Sequence, residues 1–439
     1  MAAATRIGYY MSSPTVGGAE KYLRELLWGM DRDRYAPTLF LAAWPGLEDF
    51  LGARSCPGLS YRPLRIREPG TSFSSRHSDS PSVDNRFGNL AAASRFQKLY
   101  WRLGAPARPF IDGAVYPAMK FLRLAPDAGR IARALHRNRV DVLHIVNGGY
   151  PGAYSARAAA VAGMKLGIPV VMTVCSTAMP LSATFRPLES RLDGLVRKAV
   201  ASFIVPAARP GRALVDRRGF NPTQIREIPW GLRAPLPGDH RSVAKDEARV
   251  QLGLPRDVQI VGTLSRMVPE KGHGVLLEAM ARLQDHAAPV HTLLGGAGPD
   301  RSALEARAAD LGLAERVSFT GQVEDRFAFL RALDVFVLAS DIEGLPYVVL
   351  EAMSQGIPVV ATDVGGLDTA IIQGESGFLV PVRDSNALAE RVRFLLDHPA
   401  ESTAMGRSGN AMYNRRFTLE SMLTEHESTY AEVLRRRES

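Results

Sequence analysis

The sequence predicts an α/β protein with two doubly wound, Rossmann-like domains, each built on a parallel sheet. Short, almost continuously apolar segments alternate with helical segments, which is typical of strands covered by helices on both faces of a sheet. This alternation occurs twice, on either side of a proline-rich connection at residues 228–239. Ligands of such domains bind at the carboxyl ends of the strands, so we expect a cleft between two facing sheets.

The first half begins with an apolar strand, a Ser-Pro-Gly-Gly turn and a helix whose apolar residues recur at helical spacing. Its predicted strands are 6–11, 36–42, 140–146, 169–174 and 202–206, and its predicted helices start at Ala19 and cover 127–137, 154–166 and 188–199. Together they form consecutive βαβ units.

The second half repeats the same order of elements. Its predicted strands are 259–264, 290–295, 317–321, 335–339 and 358–362. Its predicted helices are 274–284, 301–312, 325–333 and 346–355. Each predicted helix follows one strand and precedes the next, which favours a second parallel sheet.

Residues 69–109 interrupt this pattern. The first part is dense in Ser, Pro and Asp and predicts a mobile surface insertion. The segment from Leu90 to Leu103 carries aromatic residues among three basic ones. It fits either a basic amphipathic helix that meets a membrane or a substrate, or a segment that packs against its own domain.

Charge is divided unequally along the 439 residues. Residues 1–235 carry 33 Lys and Arg against 16 Asp and Glu, whereas residues 236–439 carry 21 against 29. A basic half beside an acidic half suggests two domains with different partners. An anionic membrane surface, a phosphate-linked acceptor, nucleic acid or simply an arginine-rich surface each account for the basic half.

The chain shows no membrane-spanning or secretory pattern. No apolar run approaches the roughly 20 residues of a transmembrane helix, and the first residues lack an apolar signal core. The two cysteines, Cys56 and Cys175, have neither metal-ligand spacing nor the density of a disulfide framework. We therefore expect reduced thiols and a cytoplasmic protein, with peripheral contact to the inner face of a membrane as an option.

Two carboxylates frame the segment EGLPYVVLE in the second half. Glu343 follows a predicted buried strand, and Gly344, Leu345 and Pro346 open the next helix. The start of a helix offers N–H groups and positive potential to an anion. Glu351 lies further along that helix, where its carboxylate could accept hydrogen bonds from a ribose diol. A solvated acidic helix end explains one of these glutamates but not both.

Two cations follow the first strand of the second half. Arg266 and Lys271 lie in GTLSRMVPEKG, so both should emerge at the same sheet edge as Glu343. Cations there can neutralise a diphosphate as its bond to a sugar breaks. Taken alone, the pair fits an ordinary surface loop, and its position beside the carboxylates favours a functional role.

Two glycine-rich turns lie near the predicted sheet edges. Gly17 and Gly18 follow the first strand and lead into a helix, so their backbone could approach a ligand closely, although such pairs also form ordinary turns. The segment LGGAGPD lacks the third glycine of a dinucleotide fingerprint and follows a later strand of its domain. We interpret it as a turn near a bound nucleotide.

Together these motifs resemble the retaining family-4 glycosyltransferases of GT-B fold. The resemblance covers nearly all of Val258 to Leu396, through GTLSRMVPEKG, LLGGAGPDRSALEARAADLGL, VSFTGQVED, VFVLASDIEGLPYVVLEAMSQGIPVVATDVGGLDTAI and GESGFLVP. It is thinner in the first half, where VGGAEKYLRELL, DVLHIVNGGYPGAYSARAAA and GIPVVMTV carry it. The segment FTLESMLTEHESTYAEVL resembles the final family helix, which returns to the first domain.

The resemblance implies a role for individual residues. Arg266 and Lys271 match the cations that hold the donor diphosphate, and Glu343 matches the carboxylate that contacts the donor sugar. Glu351 matches the carboxylate that binds ribose, and Gly18 matches a first-domain glycine next to the phosphates. We thus assign Arg266, Lys271 and Glu343 as catalytic, with donor-binding contributions from Glu351, Gly18 and, beside them, Gly17, Gly344, Leu345 and Pro346.

The resemblance also implies an acceptor-binding domain of residues 1–232 plus 418–439 and a donor-binding domain of residues 233–417. Members of this fold usually need no bound metal, so we expect neither metal nor cofactor, only a nucleotide-diphosphate sugar as donor. The one Asp-x-Asp match, Asp31 and Asp33, follows a helix and precedes a strand, which puts it at the wrong sheet end for a metal site.

The first half departs from the family pattern at two histidine positions, which are Val146 and Cys175 here. His144 is therefore interpreted as a strand-end residue with satisfied hydrogen bonds rather than as a base. Family members with the segment NGGYPG exist, so Asn147, Gly148 and Gly149 are expected to line the acceptor side.

These features predict a retaining glycosyltransferase that transfers a sugar from a nucleotide-diphosphate donor to a saccharide or lipid-linked acceptor, in polysaccharide or glycoconjugate biosynthesis. No nucleic-acid partner is expected. A nucleotide-sugar epimerase or hydrolase of the same fold and a non-catalytic sugar-nucleotide-binding protein are the alternatives. A dehydrogenase is disfavoured because the dinucleotide fingerprint is missing.

Overall fold

The computed structural model describes residues 4–13, 17–42, 46–66, 116–182, 186–233, 241–255 and 257–438. The predicted insertion at 69–109, including the basic segment 90–103, lies outside these residues. The chain divides into two compact units. Unit 1 comprises Met1–Ile204, Arg212–Arg226 and Glu427–Ser439, and unit 2 comprises Val205–Gly211 and Glu227–His426.

Unit 1 contains a seven-stranded sheet in the order β3-β2-β1-β4-β5-β6-β7. Its strands are β1 (Thr5–Met11), β2 (Tyr35–Ala42), β3 (Ser60–Leu64), β4 (Val142–Asn147), β5 (Val170–Val174), β6 (Val200–Val205) and β7 (Ile225–Glu227). The central pair β1 and β4 is parallel, with Tyr9 beside His144. Both strands are almost entirely buried, which explains their continuous apolar sequences.

The helices associated with this sheet are α1 (Gly18–Gly29), α2 (Leu47–Phe50), α3 (Tyr116–Arg137), α4 (Tyr154–Lys165), α5 (Arg186–Ala199) and α6 (Ala208–Arg218). Helix α3 begins well before the predicted start at residue 127. Proline normally interrupts a helix, but Pro126 lies inside α3.

Unit 2 contains a six-stranded sheet in the order β10-β9-β8-β11-β12-β13. Its strands are β8 (Gln259–Leu264), β9 (Val290–Gly295), β10 (Val317–Gly321), β11 (Val335–Leu338), β12 (Val359–Thr362) and β13 (Phe378–Val380). All its strand pairs are parallel, so the loops after β8 and β11, which are neighbours, meet at one edge.

The remaining helices follow in chain order. They are α7 (Arg241–Gln251), α8 (His273–Ala281), α9 (Arg301–Asp310), α10 (Arg326–Arg331), α11 (Tyr347–Ser354), α12 (Leu367–Ala370), α13 (Ser385–Asp397), α14 (Pro399–Arg416) and α15 (Leu419–Glu438). The apolar faces of α8, α9 and α13 pack on the unit 2 sheet in a core that includes Val261, Leu277, Leu294, Val337 and Val392. Among the described helices, none has both the length and the apolar character to cross a membrane.

The two sheets establish the predicted fold class, a pair of parallel α/β domains of Rossmann type. Helix α15 contributes its residues from Glu427 onward to unit 1. Tyr430 of this helix is fully buried, and its hydroxyl lies 3.1 Å from that of Tyr9 in β1. The end of the chain is therefore part of the core of unit 1.

Candidate active site

A largely buried ion pair lies at the carboxyl edge of the unit 2 sheet. The Lys271 ammonium is 2.6 Å from Glu343 Oε1, and the two side chains are only 17% and 10% exposed. Lys271 ends a short 3₁₀ turn after β8, and Glu343 lies in the loop after β11. Since β8 and β11 are neighbours, the structure brings these two predicted residues together across the sheet edge.

Backbone contacts fix the relative position of the two loops. Gly272 has a φ of +66°, and a Cβ at this position would be 1.9 Å from the carbonyl oxygen of Ala339. The Asp341 N–H donates to the Glu270 carbonyl at 2.8 Å. Only glycine fits Gly272, because a side chain would clash with β11 backbone in a left-handed conformation. These contacts hold the loops that carry Lys271 and Glu343 in a fixed relative position.

Arg266 lies on the same sheet edge, in the loop that follows β8. Its side chain is 58% exposed, and its guanidinium is 3.9 Å from the Glu270 carboxylate. The LGGAGPD segment supports this loop through backbone hydrogen bonds from Ser265 to Gly295 and from Met267 to Ala297, both 3.0 Å long. A cation here can move to meet a ligand, whereas Lys271 is held in place.

Helix α11 begins one residue later than predicted. Pro346 is its N-cap residue rather than its first helical residue, and no side chain caps the helix. Leu345 is buried and anchors the turn, while Gly344 is half-buried. The uncapped helix start leaves positive potential beside Glu343 and Lys271, which suits a bound anion.

Glu351 is buried in α11 and pairs with an arginine that the sequence interpretation missed. Arg326 Nη1 donates to Glu351 Oε1 at 3.0 Å, and the Glu351 side chain is 1% exposed. Arg326 is the first residue of α10, immediately after the N-cap Asp325 and close behind β10. A basic residue at a helix start behind a strand of the same sheet was the signal available in the sequence.

A second missed feature is the glycine pair after β12. The Gly366 N–H donates to the Gly344 carbonyl at 2.5 Å. Gly365 has a φ of +58°, and a Cβ there would be 2.3 Å from the Glu343 carbonyl oxygen. Close approach of the two loops therefore requires glycine. Two glycines after a buried strand were the signal in the sequence, as they were at Gly17 and Gly18.

Arg209 also reaches this part of unit 2. Its guanidinium is 2.8 Å from Asp363 Oδ1 and 3.1 Å from Asp368 Oδ2, so it ties the end of β12 to α12. Asp363 and Asp368 lie on either side of Gly365 in the sequence. Arg209 therefore helps to set the position of the loop that supports Glu343.

His273 directly follows the loop of residues 265–272, which carries Arg266 and Lys271. It is buried, and its Nε2 is 3.2 Å from Ser265 Oγ. Burial, together with the positive charge of Lys271, lowers the pKa of His273 to about 4. The imidazole is therefore neutral at physiological pH and adds no repulsion to the Lys271 ammonium.

In unit 1, helix α1 begins at Gly18, and Gly17 is its N-cap residue. Both glycines are exposed, and a Cβ at Gly18 would meet nothing within 4 Å. The Gly17 N–H donates to Glu20 Oε2 at 2.7 Å. The backbone around Gly18 is thus open to a ligand, whereas the Gly17 N–H is already engaged by a carboxylate that the sequence interpretation did not consider.

The NGGYPG segment follows β4 at the carboxyl edge of the unit 1 sheet. Gly148 is exposed and Gly149 half-buried, as a lining role requires. Asn147 is different, because its side chain is buried. Its Oδ1 accepts from the Ala153 N–H at 3.2 Å, and its Nδ2 donates to the Pro151 carbonyl at 3.3 Å. Asn147 shapes the loop from within.

His144 is placed in the middle of β4 rather than at its end. It is fully buried, with Nδ1 2.7 Å from the Tyr430 hydroxyl and Nε2 2.7 Å from Thr173 Oγ1. Both ring nitrogens are satisfied, as expected for a residue that is not a base. Cys175, one of the two positions that depart from the family pattern, is buried, and burial raises the pKa of its thiol.

Within the described ranges, no three or more His, Cys, Asp or Glu side chains come together in a way that could hold a metal ion. Asp31 and Asp33 are exposed between α1 and β2, at the opposite end of the strands from the ligand edge. The charged groups that the described site offers an anion are Lys271, Arg266 and the start of α11.

Comparisons with known proteins identify the family of the chain. The family model "Glycosyl transferases group 1" matches residues 244–412, and the model "Glycosyltransferase Family 4" matches residues 102–233. A D-inositol 3-phosphate glycosyltransferase from Catenulispora acidiphila is 31% identical over 70% of this chain and 79% of its own length. A lipopolysaccharide core biosynthesis glycosyltransferase, LpsE, from Rhizobium meliloti is 35% identical over 42% of this chain.

The chain spans about half the length of the first curated relatives it matches, 53% in the case of LpsE. Among solved structures, Anabaena HepE in complex with UDP superposes with a TM-score of 0.73 at 19% identity, over 98% of this chain and 100% of that one. This likeness concerns the fold. The two sheets and the cationic sheet edge define a GT-B protein. The chain belongs to the family-4 glycosyltransferases.

Proposed function

We propose that this protein is a retaining glycosyltransferase, which transfers a sugar from a nucleotide-diphosphate donor to a saccharide or lipid-linked acceptor. The observation that carries the proposal is the Lys271–Glu343 pair at the start of the uncapped helix α11. It sets a cation and a carboxylate side by side, one suited to the leaving diphosphate and the other to the sugar hydroxyls.

In the proposed reaction the bond between the anomeric carbon and the diphosphate oxygen breaks first. Lys271, Arg266 and the start of α11 stabilise the negative charge that grows on the diphosphate. The departing diphosphate accepts the proton of the acceptor hydroxyl, which attacks from the same face and so retains the anomeric configuration. The buried carboxylate of Glu351, oriented by Arg326, is assigned to the ribose diol.

Donor choice is tested by thermal shift against a panel of uridine, guanosine and adenosine diphosphate sugars, since a ligand raises apparent stability by mass action. The identified donor is then incubated with the protein and an acceptor extract, and released nucleoside diphosphate is measured. Release that depends on the extract supports a transferase. Release without extract indicates a hydrolase, altered sugar without release an epimerase, and binding with neither a non-catalytic protein.

Independence of metal is part of the same proposal. The described site offers two cations and a helix start in place of a metal ion. Activity with the identified donor should be unchanged by EDTA. A loss of activity that is restored by Mg²⁺ or Mn²⁺ would refute this part of the proposal.

The relative named for lipopolysaccharide core biosynthesis supports an acceptor in cell-surface glycoconjugate synthesis. Helix α3 suggests where unit 1 could approach an anionic membrane at its cytoplasmic face. Phe121 and Leu122 are 43% and 73% exposed there, next to Arg123 and near Arg130. Cosedimentation with vesicles containing anionic lipid at low salt tests this contact, and vesicles of neutral lipid are the control.

A further inference from the structure

Helix α4 carries a buried arginine with unsatisfied hydrogen-bond donors. Arg157 is 4% exposed, and its Nε and Nη1 atoms have no hydrogen-bond partner. Within the described residues it also forms no ion pair. Leaving a guanidinium out of water without a partner is strongly unfavourable. A native fold retains such a group when something else supplies the missing acceptors.

The neighbouring carboxylates are already engaged. Asp193 Oδ1 accepts from the Tyr150 hydroxyl at 2.7 Å, and Asp193 Oδ2 lies 2.8 Å from Arg218 Nε. Arg218 also contacts Glu189 at 3.0 Å, and its guanidinium stacks 5.2 Å from the centre of the Tyr150 ring. Arg218 thus pairs with both Asp193 and Glu189. The charge of Arg157 reaches the Tyr150 hydroxyl, where it opposes the rise in pKa that burial causes.

Arg157 lies in the first turn of α4, the end of the helix that follows the carboxyl edge of the unit 1 sheet. It is the fourth residue of α4, and helical side chains lean toward the N-terminus of their helix. That end of α4 follows the NGGYPG loop, and its N-cap residue, Ala153, has no side chain that could cap the helix. Gly148 and Gly149 of that loop have no side chains, and Gly148 is exposed.

We propose that Arg157 and the start of α4 form a binding site for an acidic group of the acceptor, a phosphate or a carboxylate. A planar guanidinium can bind either group through two parallel hydrogen bonds, and the helix start adds positive potential. The acceptor itself rests on the proposed function, but the anion site is testable without any transfer reaction.

Hydrogen exchange of residues 148–160, followed by mass spectrometry, localises the binding. The protein is measured in sodium chloride, inorganic phosphate and acetate at equal ionic strength. At a probe concentration ten times its dissociation constant, exchange through the open state should slow about tenfold. Phosphate protection assigns a phosphate site, and acetate protection assigns a carboxylate site. Equal exchange in all three salts overturns the proposal.

Variants separate this site from other anion-binding groups. Arg157→Gln should abolish the protection, whereas Arg133→Gln, which removes an exposed arginine from α3, should leave it intact. Lys271→Ala should also leave it intact, since that residue belongs to unit 2. Protection that persists in Arg157→Gln overturns the proposal. Should that variant not fold, the wild-type comparison of the three salts still decides. Protection without any sugar transfer would contradict the proposed function alone.

Discussion

Lys271→Ala should lower both stability and turnover, whereas Arg266→Ala should lower turnover with little effect on stability. Lys271 belongs to a largely buried pair, and removing one partner of a buried pair costs about 3–5 kcal/mol. Because both side chains retain some exposure, we expect about 2 kcal/mol for Lys271→Ala. For a unit of this size that corresponds to a fall of about 4–8 °C in Tm.

Arg266→Ala should behave differently. Arg266 is mostly exposed and its ion pair is long, so its loss should change the free energy of unfolding by less than about 1 kcal/mol. Both variants should nevertheless lose turnover by about 10²-fold, since each removes a group that stabilises the leaving diphosphate. Release of nucleoside diphosphate gives the rate, and thermal unfolding gives the stability.

A double variant completes the comparison. In Lys271→Ala/Glu343→Gln the carboxylate no longer lacks a partner, so part of the lost stability should return while turnover stays low. Normal turnover in Lys271→Ala would refute its catalytic role. Equal destabilisation by Lys271→Ala and Arg266→Ala would refute the difference in burial on which the reasoning depends.

Three further predictions concern neighbouring residues. Gly272→Ala should cost more than about 2 kcal/mol in thermal unfolding because its methyl group would clash with β11 backbone, whereas Gly274→Ala, which meets nothing within 4 Å, should gain about 0.5–1 kcal/mol. Arg326→Ala should raise KM for the donor about tenfold with a smaller effect on kcat, because it leaves the ribose carboxylate unoriented; an unchanged KM would contradict this. The pKa of His273 is lowered from the ordinary 6.5 to about 4 in the folded protein. As the pH falls, the unfolded chain therefore binds a proton at this residue before the folded chain does. Between pH 6.5 and pH 4 this lowers the free energy of unfolding by up to about 3 kcal/mol. Denaturant titrations should show a shallower fall in His273→Gln, and parallel curves would refute the assignment.

Much of the candidate site in unit 2 could be predicted from the sequence, because its residues follow closely after strands. Each catalytic candidate follows a strand of one parallel sheet, and the carboxyl ends of such strands meet at one edge. Knowing that Lys271 follows β8 and Glu343 follows β11 was therefore enough to place them together. Their direct pairing also depends on the backbone contact at Gly272, which no spacing reveals.

The contacts that were missed depend on packing between elements. Arg326 and Glu351 lie in different helices, and their pairing follows from how α10 and α11 pack beside the sheet. The placement of the Asn147 side chain also depends on packing. The segment NGGYPG does not reveal that the loop folds back so that the Asn147 amide satisfies backbone groups of the same loop.

In the interior of unit 1, His144 belongs to a buried hydrogen-bond network. The partners of His144 are Thr173 on β5 and Tyr430, which the chain supplies 286 residues later. Thr173 Oγ1 in turn lies 3.0 Å from the Tyr22 hydroxyl on α1. A histidine held at both nitrogens must break a buried hydrogen bond before it can transfer a proton, and that break is costly. The network therefore fixes α1 and the end of α15 on the sheet, whereas the turns at Gly18 and Gly148 have exposed backbone and take no part in it.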